Sequence, residues 1–223
     1  AINKLKKLLI CGQGSIGRRY IDLISDNWPE ISIGLQSSTG ELDNYLRGKI
    51  DFMNSNLQIC IDWEPDAAII CNPASLHIDT AIELLEVKIP TLIEKPIGIG
   101  NENIHKINLI KCLSKKTTTL IGYVLRYENG YELLKDIILK SKLGKIHKAN
   151  FYCSSWLPDW RPGKDYRNSV SAQKNLGGGV LLELSHELDL ALSLFGEIFL
   201  HSAVLKNSGK LEINVEDLVS LKG

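Results

Sequence analysis

The chain carries no net charge, and this absence excludes several classes of protein. Its 26 basic residues are balanced by 26 acidic ones, so its charge gives it no attraction to nucleic acid or to an anionic membrane. No apolar run reaches the length that crosses a bilayer, and the first residues lead into a strand pattern without the apolar core of a signal peptide. We therefore expect a cytoplasmic protein whose partner is a small molecule rather than a nucleic acid or a membrane.

Paired cysteines are also missing. The five cysteines stand singly, without a C-x-x-C pair or the Cys/His spacing of a metal site, so reduced structural thiols and no metal are predicted. The sequence contains no internal repeat and no low-complexity segment. Its 223 residues, 44% hydrophobic and 23% charged, have the composition of an ordinary globular chain with one large domain or two small ones.

The most informative stretch follows the first apolar run. Gly12, Gly14 and Gly17 have the spacing G-x-G-x-x-G between a strand pattern and a helix pattern. In dinucleotide-binding proteins the first glycine makes a tight turn, the second admits the pyrophosphate and the third lets the helix pack closely. The helix N-terminus, here at Ser15 and Ile16, offers N–H groups and a positive dipole end to the phosphates. The pattern predicts a dinucleotide site, with a glycine-rich turn of some other α/β protein as the alternative.

Strand and helix patterns alternate through the first half of the chain. Strands are predicted at residues 8–11, 31–36, 67–71, 89–93 and 118–122, whereas residues 43–62 have no clear pattern. The first helix is predicted to bury a face that contains Ile16, Tyr20, Leu23 and Ile24. This alternation predicts an open, doubly wound parallel sheet, a Rossmann domain over residues 1–122.

The sheet also predicts where a ligand binds. In doubly wound folds ligands lie outside the carboxyl ends of the strands. Gly12, Asn72 and Lys95 each follow a predicted strand. We therefore expect these three residues to line one crevice.

The end of the second predicted strand bears on the choice between NAD and NADP. NAD-specific Rossmann folds place an Asp or Glu about 20 residues after the glycines, but this chain has Gln36–Thr39 there and no carboxylate until Glu41. Hydroxyl and amide groups tolerate a 2′-phosphate, which favours NADP slightly, with Ser37 at the ribose and Arg18 or Arg47 as phosphate partner. An ordinary polar turn explains this composition almost as well.

The pattern changes after residue 122. Residues 123–223 are predicted to form an α/β domain with a mainly antiparallel open sheet. Helices are predicted over residues 129–142 and, as one continuous amphipathic helix, from Val180 to Phe195. Strands are predicted at residues 146–156, 198–206, 210–215 and 217–222. The polar and aromatic loop that follows the first of these strands, residues 157–167, has a length typical of functional loops.

Four motifs together resemble the Gfo/Idh/MocA family of NAD(P)-dependent oxidoreductases. In chain order they are Gly12–Gly17, Cys71–His77, Glu94–Pro96 and Gly177–Asp189. The resemblance implies a Rossmann domain, an α/β domain whose open sheet often mediates homo-oligomerisation, and hydride transfer between NAD(P) and a hydroxyl or ketone carbon of a sugar-like substrate. Family members usually run longer, so we expect the chain to be incomplete at its C-terminal side, as a fragment or a short variant.

The resemblance also implies roles for individual residues. Lys95 would hydrogen-bond the reacting substrate oxygen, and His186 would be the general base in oxidation and the general acid in reduction. Besides the glycine-rich turn and Ser37, the implied cofactor contacts are Asn72, Pro73, His77 and Glu94.

The acidic residues near His186 are less clear. Many family members have an Asp four residues before the catalytic His, where this chain has Leu182. Counted forward from the glycines, Glu183 takes the acidic place and, three residues before His186, can share its helix face. Asp189, one turn beyond, would orient the imidazole or bind a sugar hydroxyl. For both acids a polar helix edge is the alternative. Aromatic and cationic substrate contacts are predicted in the long loop, at Trp160, Arg161 and Tyr166.

The sequence leaves more than one substrate class and more than one function open. The loop around Trp160–Gly163 resembles that of family members encoded among surface-polysaccharide genes, which implies a nucleotide sugar or amino sugar. One alternative is a non-catalytic or truncated dinucleotide-binding protein. Another is a different Rossmann enzyme such as a methyltransferase, which would leave Glu94–Pro96 and the His186 motif unexplained.

Overall fold

The computed structural model describes residues 5–42, 44–100 and 104–223. Residues 1–4, 43 and 101–103, which the predicted first domain includes, lie outside the described residues. The chain divides into two compact units, the first ending at Gly122 and the second beginning at Tyr123. Within the described ranges no helix combines the length and the apolar character needed to cross a membrane.

The first unit is built on a parallel sheet of six strands. They are β1 (Lys7–Cys11), β2 (Ser32–Gln36), β3 (Phe52–Asn54), β4 (Ala67–Ile70), β5 (Thr91–Ile93) and β6 (Thr119–Ile121). The order across the sheet is β3-β2-β1-β4-β5-β6, and every neighbouring pair is parallel. The doubly wound arrangement is confirmed, and its order reverses between β1 and β4, the place where such folds bind ligands.

Helices cover both faces of this sheet. They are α1 (Ser15–Asn27), α2 (Leu57–Asp62), α3 (Ala74–Glu86) and α4 (Ile104–Leu113). Along β1, Leu9 and Cys11 pack in the core shared with α2, α3 and α4, whereas Leu8 and Ile10 pack in the core shared with α1. Burying each such Leu or Ile contributes about 1.5–3 kcal/mol. Because both faces are buried, the strands are continuous apolar runs rather than alternating ones.

The buried face of α1 differs from the predicted one. Of the predicted residues Ile24 is buried, but Ile16 and Leu23 are 42% and 50% exposed, and Gly17 and Ile21 are buried instead. The helix carries two overlapping apolar faces. Its contact with the glycine-rich turn buries the face that contains Gly17. A Cβ at Gly17 would collide with the carbonyl oxygen of Gly12, so only glycine allows this approach.

The stretch without a clear pattern contains β3 and α2. Strand β3 has three residues and helix α2 has six, which is too short for either period to be recognised. A local signal does mark the start of α2: the Asn56 side chain accepts a hydrogen bond from the Gln58 N–H at 2.8 Å, as an N-cap does.

The second unit combines helices with a small antiparallel sheet. Its main elements are α5 (Asn129–Leu139), α6 (Val180–Glu183), α7 (His186–Phe195), β7 (Ser202–Lys206) and β8 (Leu218–Lys222). The two strands pair antiparallel, with Ser202 opposite Lys222. The predicted helix at residue 129 and the antiparallel character of the sheet are confirmed.

Three predictions for the second unit are wrong. Residues 146–156 contain no strand, and residues 210–215 contain bends instead of a strand. An apolar alternation becomes a strand only where a neighbouring strand supplies hydrogen bonds, and in the described part of the chain neither segment has such a neighbour. The helix from Val180 is two helices. Leu184 leaves helical geometry with φ −104° and ψ 37°, a local change that a periodic pattern does not register.

Candidate functional site

The three glycines of the first turn occupy three different environments. Gly12 has φ +116°, and a Cβ there would lie 2.7 Å from the Asn72 nitrogen. At Gly17 the carbonyl oxygen of Gly12 occupies the space that a Cβ would need. Gly14, the N-cap of α1, has no atom within 4 Å of an added Cβ. The turn is therefore packed at its first and third glycines and open at its second, beside the exposed first helical residues Ser15 and Ile16.

Polar side chains connect this turn to the end of β2. Ser37 is buried, with its Oγ 3.1 Å from Thr39 Oγ1. The Gln13 amide nitrogen donates to Thr39 Oγ1 at 2.6 Å and to the Glu41 carbonyl at 3.0 Å. Arg18 Nε donates to the Gln13 carbonyl at 3.3 Å. Of the predicted 2′-phosphate partners, Arg18 thus lies at the glycine-rich turn, and Arg47 is an exposed residue after the short helix at residues 44–46.

Asn72 and Pro73 follow β4. Pro73 is the N-cap of α3. Asn72 Nδ2 donates to Thr80 Oγ1 at 3.1 Å, and its Oδ1 is buried without a hydrogen-bond partner among residues 5–42, 44–100 and 104–223. The amide therefore retains an acceptor that no described residue uses.

His77, a predicted cofactor contact, is engaged within the protein. It lies inside the first turn of α3, is 2% exposed, and places its two ring nitrogens 2.8 Å from the carbonyl oxygens of Asn72 and Pro96. Burial lowers the pKa of the imidazole and outweighs the opposite effect of the two carbonyls. The side chain is enclosed, and its two nitrogens face the main chain at the ends of β4 and β5.

Glu94, at the end of β5, is also engaged within the protein. The Tyr20 hydroxyl donates to Glu94 Oε1 at 2.5 Å, and the Lys95 N–H donates to Oε2 at 3.1 Å. Burial, together with Glu94, raises the pKa of the Tyr20 phenol well above its usual value. Lys95 itself is half-buried and follows Glu94 directly.

Main-chain hydrogen bonds align these groups along one edge of the sheet. The N–H groups of Gly12, Cys71, Glu94 and Gly122 donate to the last residues of the neighbouring strands at 2.8–2.9 Å. The glycine-rich turn, Asn72 and the Glu94–Pro96 turn therefore follow three adjacent strands, β1, β4 and β5, with the switch point between the first two.

His186 begins helix α7 in the second unit. It is half-buried and makes an edge-to-face contact with the Tyr123 ring, with centroids 5.7 Å apart. Asp189, one turn later, is 7% exposed, and both of its oxygens accept hydrogen bonds from the Arg126 guanidinium, at 2.7 and 2.5 Å. The Asp189 carboxylate raises the pKa of Arg126. Asp189 is thus held by Arg126, a partner that no sequence spacing indicated.

Glu183 lies on α6 and therefore does not share a helix with His186, contrary to the prediction. Ser171 Oγ donates to Glu183 Oε1 at 2.6 Å. Glu183 and Trp160 both line a cavity of the second unit with an empty volume of about 400 Å³. Its remaining wall consists of Ser155, Leu157, Ser171, Gly179, Val180, Leu184, Leu211, Ile213, Val215, Glu216 and Asp217.

The three predicted residues of the long loop have different surroundings. Trp160 Nε1 donates to Ser155 Oγ at 2.6 Å and borders the cavity. Tyr166 donates its hydroxyl to the Leu211 carbonyl at 2.9 Å, so that hydroxyl anchors the loop. Arg161 is half-buried and, like Tyr166, lies outside the cavity wall.

Sequence reasoning missed Gln13, Tyr20 and Arg126 as partners of site residues. Gln13 occupies the variable position between two motif glycines, and Tyr20 was assigned only to a helix face. The hydrogen bonds of Tyr20 and Arg126 join residues 74 and 63 positions apart. Only the fold brings such pairs together, so no local spacing could have identified them.

Comparison with known proteins gives matches over both units. Residues 6–121 match the model of an oxidoreductase family with an NAD-binding Rossmann fold. Residues 131–221 match the model of the GFO/IDH/MocA C-terminal domain.

Individual relatives are similar over part of their length. The chain is 28% identical over 134 residues to the 2,7-anhydro-N-acetylneuraminate hydratase of Escherichia coli, in a match covering 60% of this chain and 34% of that protein. Myo-inositol 2-dehydrogenase of Lactobacillus plantarum has a TM-score of 0.80 at 18% identity, covering 98% of this chain and 66% of the solved one. The WlbA dehydrogenase of Bordetella pertussis, solved with NADH and UDP-GlcNAcA, has a TM-score of 0.77 at 17% identity, covering 99% and 64%. The chain thus spans less than two thirds of the length of these relatives.

Proposed function

Because the chain belongs to the Gfo/Idh/MocA family of oxidoreductases, we propose that it transfers a hydride between a nicotinamide dinucleotide and a secondary hydroxyl or ketone carbon of a sugar-like substrate. The observation that carries this proposal is the arrangement at the carboxyl edge of the first sheet. There the glycine-rich turn follows β1 and the Glu94–Pro96 turn follows β5, on either side of β4.

The residues at this edge fit a dinucleotide. The open space at Gly14, beside the first turn of α1, would admit a pyrophosphate to the helix N-terminus at Ser15 and Ile16. The buried Asn72 Oδ1, together with Pro73, would meet the cofactor at the switch point. When bound, the cofactor accepts or supplies the hydride, and the protein contributes binding and orientation.

Two side chains of this chain would manage the substrate's proton and charge. The Lys95 ammonium would donate to the reacting oxygen and stabilise the negative charge that develops as the hydroxyl proton leaves. His186 would accept that proton in oxidation and return it in reduction. Asp189, held by Arg126 one turn further along α7, would keep this helix end in place.

For the cofactor we propose a slight preference for NADP. No carboxylate lies between Gln36 and Gly40 to repel a 2′-phosphate, and the Arg18 guanidinium is tied to the carbonyl of Gln13 in the glycine-rich turn. Ser37, directly after β2, would contact the ribose through its hydroxyl, which lies 3.1 Å from Thr39 Oγ1 and has capacity for a further hydrogen bond.

For the substrate we propose a nucleotide sugar or amino sugar, as in surface-polysaccharide biosynthesis. The support is the resemblance of the Trp160–Gly163 loop and the cavity that Trp160 shares with Glu183. An indole face suits sugar stacking and a carboxylate accepts sugar hydroxyls. Arg161 would meet a phosphate or carboxylate, and Tyr166 would shape the loop through Leu211.

We also propose that the chain forms a homo-oligomer through its second unit. Strand β7 is exposed along its whole length, including Val204 at 42% and Leu205 at 49%. Light scattering of the purified chain tests this proposal, and a monomer at all concentrations would contradict it.

The decisive experiment is a fluorescence titration with NADH and NADPH in parallel, followed by turnover assays with cyclitols and UDP-linked sugars. Tight binding of either cofactor with turnover supports the proposal, and the tighter one decides the NADP preference. Binding without turnover supports the alternative, a non-catalytic dinucleotide-binding protein. Binding of neither, with binding of S-adenosylmethionine instead, overturns the proposal.

A further inference from the structure

The turn that carries Lys95 leaves the sheet early. Strand β5 has three residues, and the last main-chain hydrogen bond that ties this segment to β4 is from the Glu94 N–H to the Ile70 carbonyl, at 2.9 Å. The next N–H, that of Lys95, donates to the carboxylate of Glu94 at 3.1 Å. The main-chain N–H of Lys95 is therefore held by a side chain.

The Glu94 carboxylate is itself held in place by α1. Its second oxygen accepts the Tyr20 hydroxyl at 2.5 Å, and Tyr20 lies one turn after the motif glycine Gly17. On the other side, a Cβ at Gly122 would lie 3.0 Å from the carboxyl carbon, so a glycine after β6 leaves the space that the carboxylate fills. The raised pKa of Tyr20 keeps the phenol protonated and hence a donor.

A second side chain fixes the far end of the same turn. The His77 ring spans from the Asn72 carbonyl to the Pro96 carbonyl, 2.8 Å from each. Of the two neighbours of Lys95, Glu94 is thus bonded to α1, and the Pro96 carbonyl faces a ring nitrogen of His77 on α3. This arrangement fixes the main chain from which the Lys95 side chain extends.

We propose that Tyr20 is a positioning residue for Lys95, acting through Glu94. The inference rests on the proposed function, in which the Lys95 ammonium meets the reacting oxygen. A lysine side chain has a long flexible stem, so the position of its ammonium depends on where its main chain is held. A misplacement of about 1 Å in a reacting group lowers the rate about 100-fold.

The structure offers a matched control for this pair. Tyr45 also donates its hydroxyl to a carboxylate of α1, Asp22 Oδ2, at 2.9 Å, but it is 53% exposed. A Tyr-to-Phe change at either position removes one phenol–carboxylate hydrogen bond within the same unit. Only the change at Tyr20 acts on a carboxylate that holds Lys95.

The experiment compares Tyr20→Phe with Tyr45→Phe. For Tyr20→Phe we expect kcat to fall about ten- to 100-fold, while KM, the dinucleotide Kd and Tm stay close to wild type. Hydrogen–deuterium exchange should become faster at the Lys95 amide, which loses its fixed acceptor. Tyr45→Phe should match wild type in all these measurements.

A Tyr20→Phe protein with wild-type kcat and wild-type exchange at Lys95 overturns the inference. If the wild-type chain turns over no substrate, the proposed function fails, but the exchange comparison still decides: faster exchange in Tyr20→Phe alone supports positioning, and equal exchange in both variants overturns it. Should Tyr20→Phe not fold, Glu94→Met replaces it, because it removes both hydrogen bonds at similar length. Wild-type kcat or wild-type exchange at Lys95 in Glu94→Met would likewise overturn the inference.

Discussion

The candidate site residues of the two units are anchored in different ways. In the first unit they follow buried strands whose main chain is bonded to neighbours on both sides, and the ring nitrogens of His77 face main-chain carbonyls. In the second unit Asp189 depends on one guanidinium, that of Arg126, and its strand β7 is exposed along its length. We therefore expect removal of a side chain to affect turnover at the carboxyl edge of the first unit's sheet. Removal of a side chain that holds α7 in the second unit should instead affect folding stability.

The largest expected effect tests the first half of this comparison. Lys95→Met should lower turnover about 100-fold or more, since it removes a donor to the developing charge, with little change in dinucleotide affinity or Tm. Lys116→Met, at an exposed lysine after α4, is the control and should be neutral. Near-normal turnover of Lys95→Met would rule out its proposed role.

The next test separates the open glycine from the packed one. Gly17→Ala should lower the free energy of unfolding by about 1–3 kcal/mol, because its Cβ meets the Gly12 carbonyl. Gly14→Ala should change it by less than about 1 kcal/mol but weaken dinucleotide binding, since the methyl group enters the open space. Urea unfolding and fluorescence titration measure both, and equal affinity of Gly14→Ala and wild type would contradict the assignment of that space to the cofactor.

A third comparison concerns the second unit. Arg126→Leu should lower the free energy of unfolding by about 1–3 kcal/mol, because buried Asp189 loses both donors. Arg167→Leu breaks exposed ion pairs with Asp165 and Glu212, whose side chains are 38% and 73% exposed, and should cost less than about 1 kcal/mol. Urea unfolding measures both, and equal losses would show that burial of Asp189 contributes nothing.

The smallest expected effect is a pH dependence. Because burial lowers the pKa of His77, the unfolded chain takes up a proton near about pH 6.5 that the folded chain still excludes, so stability present above that pH is lost on acidification toward the folded pKa. The nearby Glu94 charge opposes this shift. Unfolding free energies between pH 7 and pH 5 should fall less steeply in His77→Gln, and an identical slope would exclude His77 as the source.

How much could be predicted from the sequence differs between the units. Strands β1, β4 and β5 were recognisable because burial on both faces makes them continuous apolar runs, and the glycine spacing marks the turn that they require. Residues 146–156 show the limit of this reasoning. Their alternation describes one strand face, but a strand also needs a partner, which only the folded chain defines.

The candidate site could be predicted as a set of positions but not as a set of contacts. The motifs identified Glu94, Lys95 and His77, because their spacing from strand ends is local. Their partners depend on tertiary packing: Tyr20 reaches Glu94 across 74 positions, and the Pro96 carbonyl lies 19 positions from His77. The helix break at Leu184 is also a property of the folded chain. Its backbone dihedral angles place Glu183 on α6 and His186 on α7, so the two residues do not share one helix.

The bridge from Gln13 to Thr39 has a consequence for anyone who would redesign cofactor choice. One amide nitrogen serves both Thr39 Oγ1 and the Glu41 carbonyl, so the loop after β2 and the glycine-rich turn form one hydrogen-bonded module. An acidic residue introduced at Ser37 or Thr39 alone would change the surroundings of the Gln13 amide, which would itself stay unchanged. A library that varies Gln13 together with Thr39 should therefore yield more functional cofactor switches than one that varies the ribose loop by itself.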